Sequence, residues 1–228
     1  MKAKPVSVED ALHLIEMGLA LALIQRAYEH LALGDTRIHF AESILAMSLL
    51  MFPSTPEIVA ALWVIGLWRL WTFQGPYNGG ADKMVMLALT CLMAAHWIPG
   101  GTDFALGYLA VQLVLSYVVS GWVKLRNPDW RSGRALAEVF GMSAYPQAES
   151  LRALGARPAM MRNASWAVIG LEVAFPLALI SAPTLWVALA VAALFHASNA
   201  VLFGLNRFLW AWIAVYPALI WFQDRVLG

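Results

Sequence analysis

Ionisable side chains stand inside or at the ends of long apolar stretches of this sequence. Glu172 and His196 lie near the centres of two such stretches, and Lys124 and Arg69 lie near the ends of two others. A charge at the centre of a membrane helix costs roughly 2.5 to 3.5 kcal/mol on insertion scales, so these residues must face protein or trapped water. The four positions are therefore the first candidates for chemistry.

The stretch that ends at Lys124 carries a polar stripe with a spacing of four residues. Each step of four turns only about 40° around an α-helix, so the stripe occupies one broad face. Its members are Gln112, Ser116, Ser120 and Lys124, with Tyr117 two turns before the lysine. Matching polar pairs on later stretches are His196 with Asn199 and Ser165 with Glu172. This pattern predicts one polar site between helices.

Lys124 is the candidate base of that site. A lysine held in an apolar environment is pushed towards the neutral amine, whereas a nearby carboxylate such as Glu172 keeps it charged. We expect Lys124 to lie within reach of Glu172 or His196 in one intramembrane cavity, because each would otherwise be unpaired in hydrocarbon. The predicted catalytic residues are Lys124, His196 and Glu172.

Purely structural roles are the alternative for each of these groups. Polar side chains in membrane proteins often only bond helix to helix, for about 0.6 kcal/mol each. The residues to which this applies are Gln112, Ser116, Ser120 and Asn199. Glu172 and Lys124 could equally form a structural ion pair. Arg69 among tryptophans, and His96 beside Trp97, are typical of side chains that reach the membrane interface.

The composition shows which elements must position these residues. Of 228 residues, 61% are hydrophobic and only 13% are charged, which excludes a cytosolic enzyme. The net charge of +1 gives no basic excess that would favour nucleic acid. A single cysteine, Cys91, excludes an internal disulfide and a cysteine-rich metal site, and no metal is predicted.

Seven or eight apolar stretches are candidate membrane helices, which require about 20 residues each, and the second and fourth are short. They are Ala11 to Leu33, Ile38 to Phe52, Pro56 to Phe73, Lys83 to Trp97, Asp103 to Val123, Met160 to Ile180, Pro183 to Leu205 and Asn206 to Gln223. The prediction is an all-α, polytopic helical membrane protein with seven or eight transmembrane helices and one transmembrane domain over residues 1–228.

One connection, residues 124–162, is long and basic. It holds seven lysine and arginine residues, so the positive-inside rule places it in the cytoplasm of a multi-pass cell-membrane protein. Within it, Trp130 to Phe140 is predicted to be a short amphipathic helix on the membrane surface. Its apolar side would carry Trp130, Leu136, Val139 and Phe140, and its wet side Arg131, Arg134 and Glu138.

Two blocks of sequence resemble the HTTM family, named for a horizontally transferred transmembrane domain, which includes the vitamin K-dependent gamma-carboxylases. The first block comprises Gln112, Ser116, Tyr117, Ser120, Gly121, Lys124, Leu125, Pro128, Asp129, Trp130, Gly133 and Leu136. The second comprises Phe195, His196, Asn199 and the aromatic residues Phe203 and Phe208. Glu172 before Phe175-Pro176 resembles a Glu-x-x-Phe-Pro pattern of bacterial members, and Asn78 to Asp82 stands where the family opens another helix.

The resemblance implies a membrane enzyme that uses a reduced quinone, such as vitamin K hydroquinone. In the carboxylases, the lysine that corresponds to Lys124 deprotonates the hydroquinone. Oxygen then drives epoxidation through a stronger base, which removes a glutamate γ proton before CO2 adds. The implied cofactors are therefore the quinol and O2, with CO2 in the carboxylation branch. His196 would be a neighbouring quinone-site group, and the residues predicted to bind substrate or quinone are Gln112, Tyr117, Ser120, Trp130 and Asn199.

Two features differ from the carboxylases. They carry a histidine in the segment matching Asn78 to Asp82, and this sequence has none there. The vertebrate enzymes act on lumenal substrates, whereas the charge count places the Lys124 connection inside. Carboxylation of a tethered protein domain is thus less favoured than a reaction on a small-molecule or peptide substrate. The alternative function is a non-catalytic membrane protein that binds a lipid, a quinone or a partner helix, and a transporter is a third.

Overall fold

The computed structural model describes residues 6–32, 37–72, 79–142 and 146–227, and in these ranges it contains helices and no strand. The α-helices are α1 Val8–Ala32, α2 Arg37–Met51, α3 Pro56–Thr72, α4 Gly79–Trp97, α5 Gly101–Arg126, α6 Pro128–Ser132, α7 Arg134–Met142, α8 Pro158–Ala174, α9 Ala182–Phe203 and α10 Asn206–Phe222. Two 3₁₀ helices, Pro146–Ala156 and Phe175–Ile180, and a π-helical turn, Gln223–Leu227, complete the order. The all-α prediction is confirmed for this part of the chain, and Asn78 lies outside it.

Each of the eight apolar stretches contains one long helix, and local chemistry determines where the helices end. Pro176 lies at the start of the 3₁₀ segment that follows α8. Ser181 then caps α9 in a reciprocal capping box with Thr184. Gly204 ends α9 in the left-handed conformation at φ 68°, which glycine adopts without a Cβ clash.

Three segments are long and apolar enough to cross a membrane: Gly101–Arg126, Pro158–Ile180 and Ala182–Phe203. The criterion rests on length and composition alone. The remaining described helices do not meet it, since they are shorter or less apolar. The sequence-based count of seven or eight transmembrane helices therefore stays a prediction.

The chain divides into two compact units, which are described separately. Unit 1 comprises residues 1–111 and 210–228, and unit 2 comprises residues 112–209. This division by contacts does not test the prediction of one HTTM-like transmembrane domain over residues 1–228, which stays a prediction.

A buried ionic cluster ties helices α1 to α4 together in unit 1. Glu42 on α2 is fully buried and pairs with Arg26 of α1, whose Nη1 lies 3.4 Å from Asp82 Oδ1 on α4. Arg69 of α3 donates to Glu42 at 3.1 Å and lies 3.0 Å from His30 Nε2. The prediction that Arg69 extends to the membrane interface is therefore wrong, because the buried carboxylate of Glu42 requires a counter-ion.

A second buried carboxylate, Glu16 on α1, joins three parts of unit 1. Its Oε1 lies 2.6 Å from His96 Nε2 on α4, and its Oε2 accepts from the backbone N–H of Ser54 at 2.6 Å. Ser54 lies in the turn between α2 and α3 and has a φ of 60°. The interfacial role predicted for His96 is therefore wrong: its imidazole satisfies a carboxylate with no exposure to water.

The connection in unit 2 contains two short helices where the sequence predicted one. Pro128 lies in the first turn of α6, and Asn127 caps the helix by accepting from the Asp129 N–H at 2.9 Å. Gly133, at φ 84°, ends α6 before α7 begins at Arg134. The break follows from the left-handed backbone, so the continuous helix from Trp130 to Phe140 is a wrong prediction.

The apolar side of this connection packs against protein. Leu136 and Phe140 form a buried cluster with Met161 of α8 and Phe203 of α9. Trp130 and Val139 pack at the edge of this cluster. The side predicted to be wet is exposed, and it comprises Arg131, Arg134 and Glu138. The predicted division into two sides is therefore confirmed, and the surface that the apolar side covers is formed by α8 and α9.

Gly133→Ala should destabilise unit 2 and detach α6. A left-handed backbone costs a non-glycine residue about 1 to 2 kcal/mol, and the added methyl would collide with the backbone of Arg162 on α8. Thermal unfolding in detergent should show a lower midpoint for this variant. Gly141→Ala on α7 is the control, because a Cβ there meets no atom within 4 Å. An equal midpoint for both variants would contradict this account.

Candidate functional site

The ammonium group of Lys124 lies against Glu172 on the neighbouring helix of unit 2. Lys124 Nζ donates to Glu172 Oε1 at 2.7 Å and to Oε2 at 2.6 Å. It also donates to Ser120 Oγ at 2.6 Å, and Ser120 in turn donates to Glu172 Oε1 at 3.2 Å. An ammonium group has three N–H donors and no acceptor, and three acceptor atoms surround this one. The contacts suit an ammonium paired with a carboxylate.

Gly121 explains how α5 and α8 approach closely enough for this pair. A Cβ at position 121 would lie 2.8 Å from Glu172 Cβ and 2.8 Å from the backbone N of Val173. No side chain fits there without moving one of the helices. As a result, the side chains of Ser120 and Lys124 lie within hydrogen-bond distance of Glu172.

Trp130 of α6 covers Lys124 from another direction. The Nζ atom lies 5.2 Å from the centroid of the indole ring, within the range of a cation–π interaction. Ser165 of α8 is fully buried and donates to the Trp130 carbonyl oxygen. This hydrogen bond and the close contact at Gly133 fix α6 on α8, so the indole is held in place over the cation.

Tyr117 and His196 form a second buried polar pair in the same unit. The Tyr117 hydroxyl lies 2.8 Å from His196 Nε2, and both side chains are almost completely buried. Phe175 stacks on Tyr117 with ring centroids 4.0 Å apart. Tyr117 is two turns from Lys124, so α5 contributes one member to each pair, while Glu172 lies on α8 and His196 on α9.

The structure brings together part of the predicted site. The contact between Lys124 and Glu172 is confirmed, whereas His196 bonds to Tyr117. Gln112 and Asn199 are half-buried, and no described hydrogen bond joins their side chains to Lys124 or Glu172. The Ser116 hydroxyl donates to the backbone oxygen of Leu113, which is the local structural role considered above. The catalytic and substrate-binding roles assigned to these residues stay predictions.

Two contacts were missed from the sequence. Ser165 was grouped with Glu172 because they share a face of α8, but its bond to Trp130 depends on how α6 packs. Phe175 belongs to the Tyr117 pair, and its position three residues after Glu172 is the signal that could have indicated this.

An apolar groove of about 460 Å³ runs along α8, the following 3₁₀ segment and α9. Its lining includes Phe175 from the 3₁₀ segment and Val187 and Val191 from α9. Since Phe175 also stacks on Tyr117, one aromatic ring separates this groove from the buried hydroxyl–imidazole pair. The groove has the lining expected of a site for a hydrocarbon chain.

A model of the HTTM domain matches residues 91–224 of this chain, more than half of its length. The match includes Lys124, Glu172 and His196. Together with the three apolar helices, it indicates a membrane protein. No curated protein and no solved structure matches the chain significantly.

Removing one partner of the ion pair should cost more stability than replacing both. Lys124→Met leaves the Glu172 carboxylate, only 4% exposed, without its counter-ion. The expected loss is roughly 3 kcal/mol, whereas Lys124→Met with Glu172→Met should lose much less, because two apolar side chains pack without desolvated charges. Chemical unfolding of the single and double variants in detergent measures both. A double variant less stable than either single variant would exclude the buried ion pair.

Proposed function

Because the chain belongs to the HTTM family, we propose that it is an integral membrane enzyme in which Lys124 removes a proton from a lipid-soluble substrate. The substrate class we propose is a reduced quinone, such as vitamin K hydroquinone, or another lipid-soluble hydroxyl compound. The reaction would be of the oxygenation, epoxidation or carboxylation type, with O2 and, in the last case, CO2 as co-reactants. The observation that carries the proposal is the amine of Lys124, paired and covered at the end of an apolar helix.

The surroundings of Lys124 suit a flat, neutral ring that carries a hydroxyl group. The Trp130 indole offers an aromatic face next to the amine, and the ring of a quinol can lie against such a face. The groove along α8 and α9 offers an apolar surface for a hydrocarbon tail. A quinol bound there would supply the reducing equivalents, while Lys124 would move the proton and the apolar helices would exclude bulk water.

The other predicted residues have supporting roles in this proposal. Ser120 orients Lys124 through the bond between their side chains. Tyr117 and His196 present a hydroxyl and an imidazole next to Phe175, where they could bind a carbonyl or hydroxyl of the substrate. Gln112 and Asn199 remain candidates for substrate contacts on α5 and α9. A small molecule or a peptide would be the second substrate, which loses a proton to the stronger base formed in the oxygen-driven step.

The membrane arrangement that we propose is a multi-pass protein of the cell membrane with seven or eight spans. Its basic connection, residues 124–162, would lie on the cytoplasmic side because of its seven cations. Exposed large apolar side chains on the outer faces of several helices are consistent with contact to lipid.

A second candidate function is non-catalytic binding of a lipid or quinone. The groove favours it, since it can hold a hydrocarbon chain without any use of Lys124. In that case the ion pair between Lys124 and Glu172 would only hold α5 to α8. The two functions differ in one measurable property, the need for an amine at position 124.

Lys124→Arg should abolish turnover while preserving the fold. A guanidinium retains the positive charge beside Glu172 but does not lose its proton in proteins, so it cannot act as a base. Consumption of vitamin K hydroquinone in oxygenated detergent solution should fall by at least about 100-fold, the lower end of general-base contributions. Lys83→Arg, the same change at an exposed lysine of unit 1, is the matched control and should retain the parent rate.

Two results would contradict the enzyme proposal. If Lys124→Arg consumed the quinol as fast as the parent, the lysine would have no part in proton removal. If the parent consumed it no faster than buffer while still binding it, the non-catalytic function would be favoured.

A further inference from the structure

Lys124 cannot act as a base while it is an ammonium, because an ammonium has no free lone pair. Three oxygen atoms lie within 2.7 Å of Nζ, two of them the oxygens of Glu172, and this arrangement suits the three N–H donors of an ammonium. A proton must leave the ammonium before the amine can take one from a substrate. The question is which group receives it.

We propose that Glu172 receives this proton, and that Lys124 and Glu172 work as one acid–base pair. The inference rests on the proposed function and assigns to Glu172 a proton-accepting role in addition to an orienting one. Its two oxygens lie 2.6 and 2.7 Å from Nζ, a distance over which a proton transfers directly along a hydrogen bond. Of the described residues, the other acceptor on Nζ is the Ser120 hydroxyl, a far weaker base than a carboxylate.

The burial of the pair makes this transfer favourable compared with the same step in water. Glu172 is 4% exposed, and the side chain of Lys124 is 15% exposed. Two charges held away from water have a desolvation penalty that their mutual attraction only partly offsets. Moving one proton from Nζ to Glu172 converts the ion pair into an amine and a carboxylic acid, which removes that cost. The apolar environment thus brings the charged and neutral pairs closer in free energy.

The proposed steps balance in atoms and charge. In the first step an N–H bond of Lys124 breaks, an O–H bond forms on Glu172, and the pair stays neutral overall. In the second step the substrate O–H bond breaks, and its proton forms a new N–H bond on Lys124. The substrate oxyanion then faces the Lys124 ammonium, while Glu172 is an uncharged acid. One ion pair is present before the reaction and one after it, so no isolated charge appears in the apolar site.

Ser120 and Trp130 suit the two states of the pair. Ser120 accepts from Nζ and donates to Glu172 Oε1 at 3.2 Å, and a hydroxyl can reverse these roles when the proton moves. The Trp130 ring lies 5.2 Å from Nζ and stabilises the ammonium that the second step restores. Neither residue has to accept a proton permanently.

The test compares Glu172→Gln with the parent in vitamin K hydroquinone consumption. Glutamine keeps the size of the side chain and an oxygen that Lys124 can bond, but it cannot take a proton. We expect kcat to fall by at least about 100-fold with little change in KM, since a general base typically contributes that much. Glu138→Gln makes the same change at an exposed glutamate of α7 and should retain the parent kcat. If Glu172→Gln retains kcat within a factor of a few, Glu172 only orients Lys124 and the proposal is wrong.

A second measurement does not depend on turnover, and its first result comes from the parent protein alone. Infrared difference spectra of the parent protein, with and without 1-naphthol, a ligand that lacks the second ring hydroxyl of a quinol, should show a new band of a protonated carboxylic acid that shifts in heavy water. Glu172→Gln should lack this band, and Glu138→Gln should show it. A parent spectrum with no such band at saturating 1-naphthol overturns the proton transfer.

The two proposals fail in different ways. A parent protein that does not consume the quinol contradicts the proposed function. An active parent whose rate survives Glu172→Gln contradicts only the role of Glu172.

Discussion

Pairing of charges that lie in apolar helices is the constraint on which the described structure depends. Buried carboxylates require partners, because the free energy of desolvating an isolated charge is larger than the stabilisation that packing provides. In unit 2 this applies to Glu172, which is satisfied by Lys124 and Ser120. In unit 1 it applies to Glu42 and Glu16, which draw basic side chains from other helices. The packing partners of several helices follow from where these acids lie.

Small residues determine how closely the backbones around the ion pair approach. Gly121 leaves space for α8 next to α5, and Gly133 lets the turn after α6 lie on the start of α8. Ser165 adds a hydrogen bond from α8 to the carbonyl of Trp130. These close contacts set the positions of Lys124, Glu172 and Trp130, and proton transfer over a short hydrogen bond depends on such positioning.

The sequence predicted the long helices and one of the polar contacts. Apolar runs bounded by glycine and proline located the long helices that the structure describes, and the rarity of charges in such runs indicated that Lys124 would meet Glu172 or His196. It did not predict the break at Gly133, because a lone glycine in an amphipathic pattern is compatible with a continuous helix. Nor did it predict that Arg69 and His96 pair with Glu42 and Glu16, because such contacts join helices distant in sequence, whose packing no local periodicity encodes.

The same contact supports both of the functions considered, and energetics is what separates them. An ion pair kept only to join two helices is a poor means of stabilisation, since apolar side chains of similar size would hold α5 to α8 as well without the desolvation cost. Retaining a lysine, a carboxylate and a bridging hydroxyl in a buried position is therefore understandable if the charges do something that apolar packing cannot. Moving a proton between Nζ and a carboxylate oxygen is such a task. On this proposal, the buried ion pair lowers the stability of the protein but provides a base that can be regenerated inside the membrane.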